Sequence, residues 1–196
     1  MILLLALAVG AVGVPLLGGS LSKLQSMRIR WPWAIAAALG LQILIISVLP
    51  NSLPEAAARG LHLASYALAI AFLWVNRRVP WLWLIAAGGI CNLVAIGANG
   101  GVMPASKAAL AAAGRMPRSG FVNSAYQPGA HLRFLGDVFD VPRSLPLANV
   151  FSIGDVTIVI GAILLLHSVC GSRPLRWAPT LRWRHPTPMT TGATEG

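Results

Sequence analysis

Residues 79 to 106, VPWLWLIAAGGICNLVAIGANGGVMPAS, contain no Asp, Glu, Lys or Arg. A membrane-spanning helix needs about 20 mostly apolar residues, with a range of roughly 17–25, and this window exceeds that. Four further windows also lack charge: 1 to 22, 31 to 54, 60 to 76 and 156 to 172. With 56% hydrophobic and only 10% charged residues, the composition excludes an ordinary soluble domain. The expected fold class is all-α, a polytopic transmembrane bundle. Its spans fall near 2–19, 31–49, 60–76, 80–99 and 152–170. The third, with His62, Ser65 and Tyr66, carries the weakest signal. The bundle occupies 1–172, and 173–196, rich in proline, reads as a disordered cytoplasmic tail. No internal repeat is present.

The net charge of +10 is explained by topology. Lys23, Arg28 and Arg30 lie between spans one and two, Arg77 and Arg78 between three and four, and Arg173, Arg176, Arg182 and Arg184 after span five. All three segments face one side, and the positive-inside tendency makes that side the cytoplasm, with the N-terminus outside and the C-terminus within. Membrane lipids are therefore expected partners. Nucleic acid is excluded, because no basic stripe is interleaved with aromatics. The N-terminus lacks a positive n-region and a small-residue cleavage site, so MILLLALAVGAVGVPLLGG reads as a retained span and not a secretory signal. Cys91 and Cys170 fall toward opposite ends of their spans, too far apart for a disulfide, which needs Cα atoms about 4.4–6.8 Å apart. His167 and Cys170 supply only two ligands at a membrane edge, so no metal and no cofactor is expected.

The connection from 100 to 151 is too long for a plain loop. Within it, PASKAALAAAG predicts a short helix started by Pro104 and Ser106 and stopped by Gly114. HLRFLGDVFDVP predicts a brief strand or extended segment. Its apolar residues, among them Phe134, Leu135, Val138 and Phe139, predict that it packs back on the bundle or enters the interface.

In span four, Gly88, Asn92, Ala95 and Asn99 recur at helical spacing and form one face of small and amide side chains. Small residues allow close helix approach in lipid, and amides there bond to a neighbouring helix. At about 1.5 Å per residue, Asn92 lies roughly 20 Å from the inner edge. Asp155, at the outer start of span five, has a similar depth. A carboxylate at the centre of a span costs roughly 2.5–3.5 kcal/mol, and less near its ends, so Asp155 calls for a reason. Two are available. Ser152 and Asp155 have the spacing of a capping box, in which the acid merely starts its helix. Alternatively Asp155 and an acid of the preceding loop, Asp137 or Asp140, converge as an acid and base sharing a proton.

The string FSIGDVTIVIG, residues 151 to 161, resembles the last-helix motif of signal peptidase II, the membrane aspartyl peptidase of lipoprotein precursors. The resemblance puts Asp155 on one catalytic acid and makes Asp137, within LGD, the counterpart of the other. GGICNLV, residues 88 to 94, is similar to that family's Gly-Gly-x-x-Gly-Asn-Leu segment and puts Asn92 on its asparagine. Ala95 stands where the family has an Asp, and span one is extra. Taken together, NGGVMP, LGD and NVFSIGD look more like a group of small uncharacterised bacterial integral membrane proteins of unknown function. Both resemblances imply a bacterial inner (plasma) membrane location.

The expected site is therefore an outer-leaflet polar cluster. Asp137 and Asp155 are the candidate catalytic acids, and Asn92, Asn99 and Ser152 are orienting or substrate-binding residues. The substrate would be a membrane-anchored peptide or lipoprotein. The alternative is a non-catalytic membrane module, a partner subunit or lipid-binding protein, in which Asp155 caps its helix. Nothing in the sequence sets the oligomeric state.

Overall fold

The structure is a computed structural model that describes residues 2–49, 52–115 and 122–175. It is mostly helical. Five helices pack side by side: α1 (Ile2–Leu16), α2 (Pro32–Ile43, prolonged by a π-helical turn Leu44–Val48), α3 (Glu55–Val75), α4 (Leu82–Ala98) and α6 (Ile153–Cys170). Between α4 and α6 lie β1 (Met103–Pro104), the short helix α5 (Lys107–Ala112), β2 (Ser124–Ala125), β3 (Asp137–Val141) and β4 (Asn149–Ser152). Two helices, α3 and α6, are long and apolar enough to cross a membrane, whereas Leu5–Leu16, Pro32–Val48 and Leu82–Ala98 are apolar but shorter.

Local chemistry explains the ends. Pro32 occupies the first turn of α2, where its missing N–H costs nothing. Glu55 begins α3 earlier than the charge-free window predicts, because an acid suits the positive helix end and pairs with Arg59 one turn on, at 2.5 Å. Span one stops at Leu16 instead of 19, since Gly18 takes a left-handed conformation and Gly19 N–H closes back on Val14 O at 2.9 Å.

The largest helix interface joins α4 to α6, and the others join α2 to α3, α1 to α6 and α3 to α4. α6 crosses α4 through Gly88 and Gly154. A Cβ on Gly154 would overlap both the Asn92 side-chain oxygen and the Gly88 carbonyl, so only glycine permits this approach. The small face predicted on span four is buried: Gly88, Asn92, Ala95 and Asn99 all point inward.

At the opposite end, Ser20 N–H bonds to Cys170 O at 3.0 Å and Arg173 N–H to Leu17 O at 2.9 Å, which binds the C-terminal ends of α1 and α6 together. Asn76, after α3, donates to Arg30 O at 2.8 Å and accepts from Arg30 N–H at 2.8 Å. Both basic loops and the chain after α6 thus gather at one end. Arg173–Leu175, expected as the start of a disordered tail, form a 3-10 turn. The remainder of that tail lies outside the described residues.

The long connection covers the other end of the bundle. The short helix forms as expected, with Ser106 Oγ accepting Ala109 N–H at 3.0 Å and Gly114 left-handed after it. β1 and β2 pair in parallel, β3 and β4 antiparallel with an irregularity at Val138, and a bridge from Ala105 to Asp137 links the two pairs. Gly136 lies so close to the Pro104 carbonyl that a side chain there would force the two segments apart. Val102 and Met103 are buried against the helices.

Candidate functional site

β4 runs directly into α6, and their junction carries the first acid. Ser152 Oγ accepts Asp155 N–H at 3.0 Å, and Asp155 Oδ2 accepts Ser152 N–H at 3.0 Å, so the reciprocal capping box is complete. The same residues reach α4: Ser152 Oγ donates to Asn92 Oδ1 at 2.8 Å, and Asn92 Nδ2 donates to Asp155 Oδ1 at 2.8 Å. Ser152, Asn92 and Asp155 close a ring of hydrogen bonds. Ser152 and Asn92 are fully buried, whereas Asp155 keeps partial exposure.

Asp137 comes from β3, opposite Ser152 in the β3–β4 ladder. Its carboxylate accepts Ser124 Oγ at 2.5 Å, its backbone carbonyl accepts Ser106 N–H at 3.0 Å, and only 5% of it is exposed. Burial is the largest influence and pushes its pKa up to about 6; the Ser124 bond opposes this, the Asp155 charge adds to it, and Arg115 opposes it. The two acids are therefore within electrostatic range of each other. Asp140 also lies on β3, but three residues further along.

α3 contributes a residue that the sequence argument did not place in the site. Tyr66 packs against Ala95, Ile96 and Met103. Its hydroxyl meets the Asn92 amide and lies within the fields of both Asp155 and Asp137. Its ring stands edge-on to His62 at 5.5 Å, and His62 Nδ1 bonds to Gly101 O at 2.9 Å. Ser65 Oγ donates to His62 O at 2.7 Å and accepts from Gln42 at 3.1 Å. The available signal was the i, i+3, i+4 spacing of His62, Ser65 and Tyr66, one polar face within an apolar span. Ser124 carried no comparable signal.

Asn99 does not join the acids. Standing just after α4, its Nδ2 donates to Ala95 O at 2.7 Å and to His131 O at 2.9 Å, while Oδ1 accepts His131 N–H at 2.8 Å. It caps the helix and pins the connection between α4 and α6, because the carbonyls at a helix end need such donors. Among the described residues, no three His, Cys, Asp or Glu side chains gather where they could hold a metal. Cys91 and Cys170 are free thiols, and only Cys170 is fully buried.

Residues 26–167 match a family described as "Family of unknown function (DUF5317)". The chain belongs to this family. The match fits the expectation of an uncharacterised family but does not bear on the motifs NGGVMP, LGD and NVFSIGD, and it spans α2 through most of α6, including every residue of the acid cluster. No curated protein and no solved structure matches the chain. The motifs that resemble signal peptidase II gain no support from these comparisons.

Proposed function

We propose that the chain is a five-span membrane protein whose outer end carries an aspartyl peptidase site acting on a membrane-anchored peptide. The observation that carries this reading is the placement of Asp137, 5% exposed and paired across the β3–β4 ladder with Ser152, the residue that caps and holds Asp155; burial raises the Asp137 pKa to about 6. An aspartyl mechanism pairs a protonated acid with an ionised one, and burial favours the neutral form of Asp137. Asp155 would take a proton from water as it attacks the peptide carbonyl, and protonated Asp137 would donate to the carbonyl oxygen. Asn92 and Ser152 fix the Asp155 carboxylate through the bonds described above.

The membrane setting is supported by the outward faces of the helices, where Val9, Val12, Leu16, Leu39, Ile43, Ile90 and Val94 are exposed. Trp31, Trp33, Trp74 and Trp83 are exposed at the end holding the basic loops, with Arg77 stacked 5.0 Å over Trp74. Aromatic belts and cytoplasmic cations have this arrangement.

One observation favours the non-catalytic alternative. Both carboxylate oxygens of Asp155 are already engaged, one in capping and one in holding α4. The test compares cleavage of membrane-anchored precursors by reconstituted wild type, Asp137→Asn and Asp155→Asn, with unfolding curves for each. Loss of general acid–base catalysis should slow cleavage by roughly 10²–10⁴-fold while the variants stay folded. Equal processing by wild type and both variants removes the peptidase reading and leaves the structural one.

A further inference from the structure

A second site adjoins β3 at Val138. A cavity of about 220 Å³ is lined by Pro104, Tyr126, Ala130 and Val138, with Lys107 and Arg133 among its walls. That is below the roughly 300–1,000 Å³ of drug-sized ligand pockets, so it suits a headgroup or chain segment. Its cations are held in place. The Lys107 ammonium sits 4.5 Å over the Tyr126 ring, and the Arg133 guanidinium bonds to the carbonyls of Pro128 and Ala130. Its height is also fixed, because Ala130 precedes His131, whose backbone Asn99 clamps to the outer end of α4. Beside it Leu132 and Phe134 turn apolar surface outward, Phe134 with 68% exposure.

We propose that this cavity binds the headgroup of an anionic phospholipid. The phosphate would lie against Lys107 and Arg133, and the glycerol and upper acyl carbons over Pro104, Ala130 and Val138. A cationic rim of Lys107 and Arg133 beside an apolar floor of Pro104, Ala130 and Val138 complements that chemistry. The inference rests on the membrane reading but not on the peptidase chemistry. Both Lys107 and Tyr126 are exposed, so the site opens outward and does not depend on access to the acids.

The full chain in nonionic detergent is titrated calorimetrically with dihexanoyl phosphatidylglycerol, dihexanoyl phosphatidylcholine and glycerol phosphate. Wild type should bind the anionic lipid in preference to the other two. Lys107→Glu should weaken it by about tenfold or more, since one attraction becomes a repulsion. Ala130→Leu, which fills the floor and leaves the charges, should weaken both lipids. Equal binding of the two lipids, undiminished binding by Lys107→Glu or by Ala130→Leu, or equally tight glycerol phosphate would each overturn the proposal, the last by assigning the site to a free phosphate. Carbonate washing of the source membranes tests the membrane reading separately: release of the protein sinks that reading whatever the titrations give.

Discussion

Asp137 and Asp155 share a cluster but stand in different environments. Asp155 accepts two N–H bonds and borders open space, whereas Asp137 is buried with one hydroxyl donor. Burial favours the neutral acid, so Asp137 in the fold binds its proton up to about pH 6, against an ordinary value of 3.8. Its contribution to stability is therefore complete below the ordinary value and is lost as pH rises through 6. That difference amounts to about 3 kcal/mol. Subtracting the Asp137→Asn stability curve from that of wild type between pH 4 and 8 should expose this fall; a flat difference would mean that Asp137 is not raised. Tyr66→Phe keeps the ring against Ala95, Ile96 and Met103 and removes only the hydroxyl facing Asn92. Unfolding should show a loss of about 1 kcal/mol. If the acids are catalytic, the pH profile of cleavage should also shift, because the hydroxyl lies in both their fields. An unchanged profile would confine Tyr66 to packing.

At the scale of elements, the α4–α6 crossing holds the acids in register. Gly154→Ala places a Cβ against both the Asn92 oxygen and the Gly88 carbonyl. Overpacking of this kind costs about 1–3 kcal/mol, and here it would also part Asn92 from Asp155. Thermal unfolding of Gly154→Ala should fall below that of wild type, as should that of Ser152→Ala, which loses a cap worth about 1 kcal/mol and leaves the buried Asn92 oxygen without its donor. A Gly154→Ala variant as stable as wild type would show that the helices can separate without penalty. This crossing was legible in the sequence, because Gly88, Asn92 and Ala95 lie on one face at a helical period. The capping box was legible too, since it is local. The β3–β4 ladder was not. Asn149–Ser152 is short and abuts a helix, and its pairing with Asp137–Val141 is a tertiary choice that no local period encodes. Without that ladder, Asp137 could be named as a partner but not placed, and Ser124 could not be found at all. The start of α3 was missed for the opposite reason: Glu55 and Arg59 break the apolar window although they suit a helix end.

At the scale of the molecule, the two ends of the bundle differ in chemistry. One gathers Arg30, Arg77, Arg78 and Arg173 with four exposed tryptophans; the other is covered by the folded connection that carries the acids. Five packed helices alternate between these ends, and under the proposed five-span reading the charge rule sets the acids outside. The connection itself brings Lys107, Arg115, Arg133 and Arg143 to the end that this reading places outside, against the simple rule. Long translocated segments escape that rule, and the connection folds into paired strands and a capped helix on the bundle. Orientation is therefore the point at which the architecture is most open to refutation. With Cys91 and Cys170 replaced by alanine, a cysteine at Leu145, 54% exposed between β3 and β4, should react with an impermeant maleimide on intact cells. A cysteine at Arg78, exposed just after α3, should react only after permeabilisation. The reverse pattern would place the acids in the cytoplasm. Labelling of both sites on intact cells would mean that the helices do not separate two compartments, and would overturn the five-span architecture together with the outer-face site built on it.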